Sequence, residues 1–367
     1  MNRNGKMVLN IAQKLPSTMI YILFVCTIVQ YVGVNGDDYD QIRHYSSMHH
    51  SMQHFYHPPT FYYRHYTHDN PPQSNFLRNW VLSNKVDELS MQSCGIAPET
   101  NIFQRIVGGR PTMPYAYPWM VFLTIKLPGS TSICAGVLIT RRHVLTAAHC
   151  MTESKYPEDV TVKAGIYKYT DEAIRIPARI ITMHPKYENK THTNDIAIIT
   201  LQSSFPYDHQ RIGTICLPPD NAGDYYPPPR SDSIAIGWGH TSWHGGLSLT
   251  LQEVTLPILD VNQWQCRQLL KYPLGQICAG KLEGGFDTCQ GDSGGPLMIQ
   301  NANYRWEVIG ITSVGDKCGK PNTPGIYTRV SFYNDFIRSA IVQSNYDPKF
   351  RSCFFSSSST FTRNRSS

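Results

Sequence analysis

Short apolar runs separated by turn residues dominate the middle of the chain. They occupy residues 117–125, 135–140, 143–146, 160–164 and 195–201, and resume at 233–236, 249–256 and 306–311. Their length and their content of Val, Ile and Thr are those of strands rather than helices, so the rhythm predicts an all-β unit. Between the two sets, Pro218-Pro219 and Pro227-Pro228-Pro229 frame a stretch too rich in proline for a central strand, and a connector is expected there. One segment carries the other period. Tyr333, Phe336, Ile337, Ala340 and Ile341 fall at i, i+3, i+4, i+7 and i+8, which predicts a helix over 331–343 with Ser331 as its N-cap.

The two ends have a different character. Residues 19–34 are almost wholly apolar and follow Arg3, Lys6 and Lys14. The run is short for a membrane span, which needs about 20 apolar residues. With the small residues that follow it, it reads as a secretory signal peptide over 1–36, and an uncleaved signal anchor is the rival reading. Residues 37–105 hold His44, His49, His50, His54, His57, His65 and His68 among many tyrosines, broken by Pro58-Pro59 and Pro71-Pro72. Neither period is present, which predicts a largely disordered prosegment. The Ser-rich residues 345–367 are expected to be a disordered tail, which leaves 106–344 as the folded domain.

Composition narrows the classes. Charged residues make up 16% and apolar residues 41%, so a substantial core is affordable in area. The net charge of +6 is spread along the chain without a Lys/Arg block, which argues against a nucleic-acid surface. Ten cysteines without a CxxC pair read as disulfides formed in an oxidising compartment.

The chemistry centres on Asp287-Thr288-Cys289-Gln290-Gly291-Asp292-Ser293-Gly294-Gly295-Pro296. A serine hydroxyl is a poor nucleophile until a base and an oxyanion site assist it. Upstream stands Leu145-Thr146-Ala147-Ala148-His149-Cys150, and between the two stands Asn194-Asp195-Ile196-Ala197-Ile198-Ile199. Each has a bland reading by itself. A Gly-rich serine loop is a turn, a histidine beside a cysteine is structural or a metal candidate with no partner at ligand spacing, and an acid before an apolar run is a strand end. Together, in the order His, Asp, Ser, they fill every role of a catalytic triad.

The segments Thr-Ala-Ala-His-Cys and Gly-Asp-Ser-Gly-Gly-Pro, with Arg105-Ile106-Val107-Gly108-Gly109, resemble the trypsin/chymotrypsin family of serine proteases over roughly residues 106–345. Arthropod zymogen proteases are similar, but residues 37–93 lack the cysteines of a clip domain. The resemblance implies two six-stranded antiparallel Greek-key β-barrels with a C-terminal α-helix, and a secreted trypsin-like endopeptidase made as a zymogen. It implies His149 as base, Asp195 as its orienting carboxylate, Ser293 as nucleophile, and the N–H groups of Gly291 and Ser293 as oxyanion hole.

Asp287 would lie at the base of the primary pocket, where a buried carboxylate without a partner is costly and a substrate Arg or Lys supplies the missing charge. Thr288, Ser313, Gly315 and Gly325 complete the expected substrate site, while Val314 stands where the family usually has Trp. Cleavage after Arg105 would free the Ile106 ammonium to pair with Asp292, whose apolar surround needs a cation.

The implied disulfides are Cys134–Cys150, Cys266–Cys278, Cys289–Cys318 and Cys94–Cys216, with Cys26 leaving in the signal peptide and Cys353 unpaired. No cofactor and no metal is expected, since Asp171 and Glu172 are the only acids where relatives bind Ca²⁺. Asn189 and Asn364 head glycosylation sequons. Expected partners are Arg/Lys-containing protein substrates, an activating protease and serpin-type inhibitors, with no nucleic acid. The alternatives are a membrane-anchored protease of the same chemistry and a non-catalytic binding protein on the same fold.

Overall fold

The structure, a computed structural model, describes residues 93–98, 109–154, 156–206, 208, 210–240, 245–285, 288–315 and 318–344. The expected signal peptide, nearly all of the prosegment, the Arg105-Ile106 junction, Asp287, Asn364 and the tail lie outside the described residues.

Strands β1 (Arg110–Pro111), β2 (Met120–Leu127), β3 (Ser130–Thr140), β4 (His143–Thr146), β5 (Val160–Ala164), β6 (Ile174–Met183) and β7 (Ala197–Leu201) come first. All but β1 close into a barrel in the order β2-β3-β4-β7-β6-β5. The β2–β3 hairpin runs from Met120 opposite Val137 to Leu127 opposite Ser130. Its two-residue turn is Pro128-Gly129, with Gly129 at φ +79°, a value that glycine adopts without a Cβ penalty. Leu123, Ile125, Leu138, Ile139, Leu145, Ile198 and Ile199 are each fully buried in the main core, on one face of the barrel wall or the other. Burial of one such side chain is worth about 1.5–3 kcal/mol, so the barrel's stability is spread over many contacts.

The second half comprises β8 (Asp232–Gly237), β9 (Gln252–Pro257), helix α1 (Trp264–Leu269), β10 (Gln276–Ala279), β11 (Pro296–Gln300), β12 (Trp306–Val314) and β13 (Gly325–Arg329). With β1 they form a seven-stranded sheet in the order β1-β9-β8-β11-β12-β13-β10. The six strands from β9 to β10 meet at their ends through the bridge Ile258↔Ala279 and the bond Leu259 N–H to Cys278 O at 2.9 Å. β1 is the seventh, laid on β9 with Arg110 opposite Glu253. The chain is therefore all-β, with one closed barrel and a second sheet whose ends touch. Among the described residues no strand falls between β7 and β8, where the prolines predict a connector.

The terminal helix starts later than its apolar stripe suggests. Val330–Tyr333 form a 3₁₀ turn and helix α2 spans Asn334–Ser344. Ser331 is therefore not the N-cap but lies inside the 3₁₀ turn, which leads straight into α2. The stripe itself packs as its period demands: Tyr333, Ile337, Ala340 and Ile341 are buried in the main core and Phe336 is packed against it. Among the described residues no helix is long and apolar enough to cross a membrane.

Residues 93–98 form a short island fastened to this unit. Cys94 is bonded to Cys216, Gly95 N–H donates to Thr214 O at 2.7 Å, Trp306 N–H donates to Gly95 O at 3.0 Å, and Arg305 Nη1 donates to Cys94 O at 2.7 Å. Gly95 has φ +70°, and a Cβ there would lie 2.5 Å from Trp306 O. Only glycine fits that approach.

Candidate active site

Strand pairing brings the histidine and the aspartate together. β4 and β7 are antiparallel neighbours with Thr146 opposite Ala197. His149 lies just past the end of one and Asp195 just before the start of the other, so a separation of 46 residues becomes a side-chain contact. His149 opens a 3₁₀ turn, His149–Met151, which the Cys134–Cys150 disulfide ties back to β3. Asp195 is fully buried. It accepts from His149 Nδ1 at 2.8 Å, from the His149 backbone N–H at 2.8 Å and from Ser313 Oγ. Its own carbonyl accepts from Thr328 Oγ1 at 2.7 Å.

A carboxylate can only accept, so His149 Nδ1 carries the proton and Nε2 keeps its lone pair. Burial pushes the Asp195 carboxyl up. Hydrogen bonds from His149 and Ser313, with the His192 imidazole 3.7 Å away, overcome it, and the group sits well below the usual carboxylate range. This is the electrostatic arrangement that stabilises an imidazolium formed on the other side of the ring.

Ser293 arrives from the second sheet on a glycine-rich turn. Ala135 N–H donates to Ser293 O at 2.8 Å, while Gly294 N–H donates to Thr312 O at 2.9 Å. A Cβ on Gly294 would lie 2.2 Å from Thr146 Oγ1, so this residue type allows the loop to touch the first barrel. Ala135 follows Cys134, whose disulfide partner follows His149, and this places the serine loop against the histidine turn. Gly291 has φ +95°, the conformation that turns the peptide toward Ser293. His149 Nε2 lies 3.8 Å from Cys150 Sγ, and Ser293 Oγ does not hydrogen-bond it in this structure. Bonds of this kind are often long before substrate binds.

Asp292 points the opposite way, into a slot between Gly237 and Gly239. A Cβ on Gly237 would lie 1.8 Å from its Oδ1. Gly239 N–H donates to Oδ1 at 2.7 Å and Cys289 N–H to Oδ2 at 2.9 Å. Burial pushes this carboxyl up to about 6 against those two bonds. Among the described residues no cation pairs with it. A cavity of about 210 Å³ adjoins it, lined by Gly109, Gly237, Gly239, His240 and Glu253 among others. Gly109 lies three residues after Ile106. Three residues of chain span at most about 10 Å.

The expected substrate site is only partly visible. Thr288 Oγ1 lies 3.1 Å from Tyr327 OH, Gly325 opens β13 opposite Ala279, and Cys289 is bonded to Cys318. A Cβ on Gly315 would meet nothing within 4 Å, so the space beside it is open. Ser313 sits at a register shift between Thr312 and Val314, out of the β13 ladder, and its hydroxyl is turned to Asp195. Val314 is exposed. Asp287 lies outside the described residues. Cys266–Cys278 joins α1 to β10. Asn189 is exposed, its Oδ1 accepting from Tyr187 OH at 3.0 Å.

Two residues here carry no sequence motif. Thr328 reaches Asp195 from β13 of the second sheet. His192 stands over the dyad, its ring 5.6 Å from that of His149 and its Nδ1 3.7 Å from Asp195 Oδ2. Lying three residues before Asp195 is its sole signal in the sequence.

Residues 106–337 match the family described as Trypsin. The chain is 38% identical over 270 residues to the proclotting enzyme of Tachypleus tridentatus, covering 68% of this chain and 69% of that protein. It is 34% identical over 259 residues to transmembrane protease serine 11G of Rattus norvegicus, and 35% over 269 residues to transmembrane protease serine 11C of Mus musculus. The matches cover 70% and 72% of this chain, and 60% of the length of each of those two proteins. The chain belongs to the trypsin family of serine endopeptidases.

Proposed function

We propose that the chain is the zymogen of a secreted protease that is cleaved after Arg105 and then hydrolyses peptide bonds after Arg and Lys. The observation that carries the catalytic part is the buried Asp195 carboxylate holding both the ring and the backbone of His149, beside the Ser293 turn. Ser293 Oγ attacks the scissile carbonyl while His149 Nε2 takes its proton. The N–H groups of Gly291 and Ser293 receive the oxyanion. His149 passes the proton to the leaving amine, an acyl-enzyme remains on Ser293, and water releases it by the same proton path. Asp195 stays ionised throughout and offsets the imidazolium charge.

Activation is supported by Asp292, a buried carboxylate met among the described residues by two backbone N–H groups, beside a cavity that Gly109 helps to line. The Ile106 ammonium freed by cleavage would supply the missing cation and order the Gly291–Ser293 turn. Because residue 105 is basic, a protease of this same preference meets the requirement for an activator. Serpin-type proteins are the inhibitor class suited to such an enzyme. A second reading, membrane attachment through residues 19–34, is favoured by the relatives named transmembrane proteases. N-terminal sequencing of the mature protein decides between the two.

The test is activation by trypsin followed by assay on chromogenic peptides. Wild type should become active and prefer Arg or Lys to Phe or Leu by at least about 100-fold. Arg105→Gln should stay intact and inactive, and Asp287→Ser should lose the preference. Preference for aromatic residues would overturn the pocket assignment, and full activity in Arg105→Gln would overturn the zymogen reading.

A further inference from the structure

The residue that leads into Asp195 is held in an unusual way. Asn194 adopts φ +56°, in the left-handed region that asparagine enters more readily than most side chains, though at some cost. Its amide is fixed from two directions. Nδ2 donates to Lys186 O at 2.7 Å, on the far side of the loop formed by residues 187–193. A carbonyl can only accept, so the amide cannot be turned round and Oδ1 faces the other way. There it accepts from Tyr333 OH at 3.1 Å. Ile196 N–H donates to Asn194 O at 2.9 Å and holds the turn from the main-chain side.

Tyr333 reaches Asn194 from the 3₁₀ turn that opens into α2, 139 residues along the chain. The ring is buried and its oxygen has little room to swing. A Cβ on Gly275 would lie 2.6 Å from that oxygen, and the rings of His184 and Phe332 cross the tyrosine edge-on at 5.3 and 5.0 Å between centroids. Burial, then the neighbouring Tyr272 and Asp195, push the phenol far up, so it stays a neutral donor. His184 also supports the other end of the amide: its Nδ1 accepts from the N–H of Lys186, whose carbonyl holds Asn194 Nδ2. Glu188, Asn189 and Lys190 at the tip of the enclosed loop are exposed. Asn194 closes that loop at its base, so a displacement of the tip is stopped before it reaches Asp195.

We propose that Tyr333 and Asn194 are positioning residues, and that the entry to the terminal helix aims Asp195 at His149 through one phenol O–H. The proposal rests on the reading of His149 and Asp195 as catalytic groups. Both residues act through Asp195. Ser313 and Thr328 fix the carboxylate and the carbonyl of Asp195, while the clamp fixes the backbone that enters it. Without the phenol O–H, Asn194 Oδ1 loses its donor and nothing on that side opposes relaxation of the left-handed backbone. The carboxylate then drifts from its 2.8 Å contact with His149 Nδ1, and groups of this kind must be held to within about 0.5 Å. Asp195 stabilises an imidazolium that forms only as Ser293 attacks, so the loss falls on kcat rather than KM.

The experiment is a double-mutant cycle on the trypsin-activated full chain, read as kcat and KM on an Arg-terminated chromogenic peptide. Tyr333→Phe keeps the ring in the core and removes only the hydrogen bond. It should lower kcat at least about five-fold and leave KM within about two-fold. Asn194→Gly keeps the left-handed backbone accessible and removes the clamp, and should lower kcat at least about ten-fold. The double variant should be slower than Asn194→Gly by no more than about two-fold, because the phenol has already lost its acceptor. A residue that merely packs would show no effect in Tyr333→Phe, or one that multiplies with that of Asn194→Gly. Wild-type kcat in Tyr333→Phe would overturn the proposal, as would multiplied effects in the double variant or a change confined to KM. Should Asn194→Gly not fold, kcat and KM of Tyr333→Phe decide alone. Full activity in Asp195→Asn would instead sink the catalytic reading, whereas a normal Tyr333→Phe beside an inactive Asp195→Asn sinks the clamp alone.

Discussion

The two halves of the cleft are built to different degrees. The first barrel contributes His149 and Asp195, and side chains and backbone of this chain satisfy them. Two bonds join the pair, Ser313 and Thr328 brace the aspartate, and a disulfide holds the histidine turn. The second sheet contributes Ser293, Gly291 and Asp292 on a turn whose acid is buried with, among the described residues, backbone N–H groups as its hydrogen-bond partners. Neighbouring strand ends define the first half, so folding completes it. Among the described residues no cation meets the acid of the second half, and on the proposed activation reading cleavage after Arg105 supplies one.

The largest effect that tests this contrast comes from removing one group on each side. In the activated enzyme, Ser293→Ala should lower kcat by about 10⁶-fold. Asp195→Asn should lower it by about 10⁴-fold, because an amide that donates to Nδ1 favours the wrong tautomer. Circular dichroism should show both variants folded. A drop of less than ten-fold in Asp195→Asn would mean that the built half does not carry the base.

A smaller effect separates the halves by pH. The Asp292 carboxyl is raised to about 6 by burial, from an ordinary value near 3.8. A raised acid binds its proton more tightly when folded, so its contribution is favourable at low pH and is lost as pH rises through the window from about 4 to 6. Two units correspond to about 3 kcal/mol. Denaturant unfolding of uncleaved Ser293→Ala should therefore show stability falling across that window relative to the same chain carrying Asp292→Asn. After cleavage at Arg105 the Ile106 ammonium should lower the Asp292 pKa, and the falling limb should vanish. Identical profiles for the uncleaved chain with and without Asp292→Asn would show that this acid is not poised for a cation.

Sequence alone exposed these halves unequally. The barrel strands β2 to β5 and β7 appear as contiguous apolar runs because both their faces are buried or nearly so. β6 is hidden by Arg175, Pro177 and Arg179, although Ile176 and Ala178 between them are buried. β10 and β13 are too short for a period, and α1 has only six residues. The motif around Ser293 is local and can be read directly. The register of β4 on β7, which puts Asp195 beside His149, cannot be read, because it depends on pairing between distant segments. His192 and Thr328 act through space and leave no local mark.

The smallest effect concerns how the segment before the cut is fastened. Residues 93–98 attach near Trp306, the first residue of β12, and the same strand carries Ser313 near its other end. Cys94 lies on the prosegment side of Arg105, so cleavage there should leave the two pieces joined. Electrophoresis of activated protein should show one piece until reductant is added, then a heavy and a light chain. A light chain released without reductant would contradict the Cys94–Cys216 bond. Beside that bond, Gly95 is held at φ +70° with Trp306 O, Trp306 N and Cys216 Sγ within 2.9 Å of where a Cβ would stand. Two of these are backbone atoms and the third is in a disulfide, so none yields as a flexible side chain would. Gly95→Ala should cost about 1–3 kcal/mol. For a unit of this size that lowers Tm by roughly 2–4 °C per kcal/mol. Activity of the cleaved enzyme should not change, since the island touches neither His149 nor the Ser293 turn. A Tm unchanged by Gly95→Ala would show that the island is attached by its disulfide alone, and lost activity would show that the built and unbuilt halves are coupled through β12.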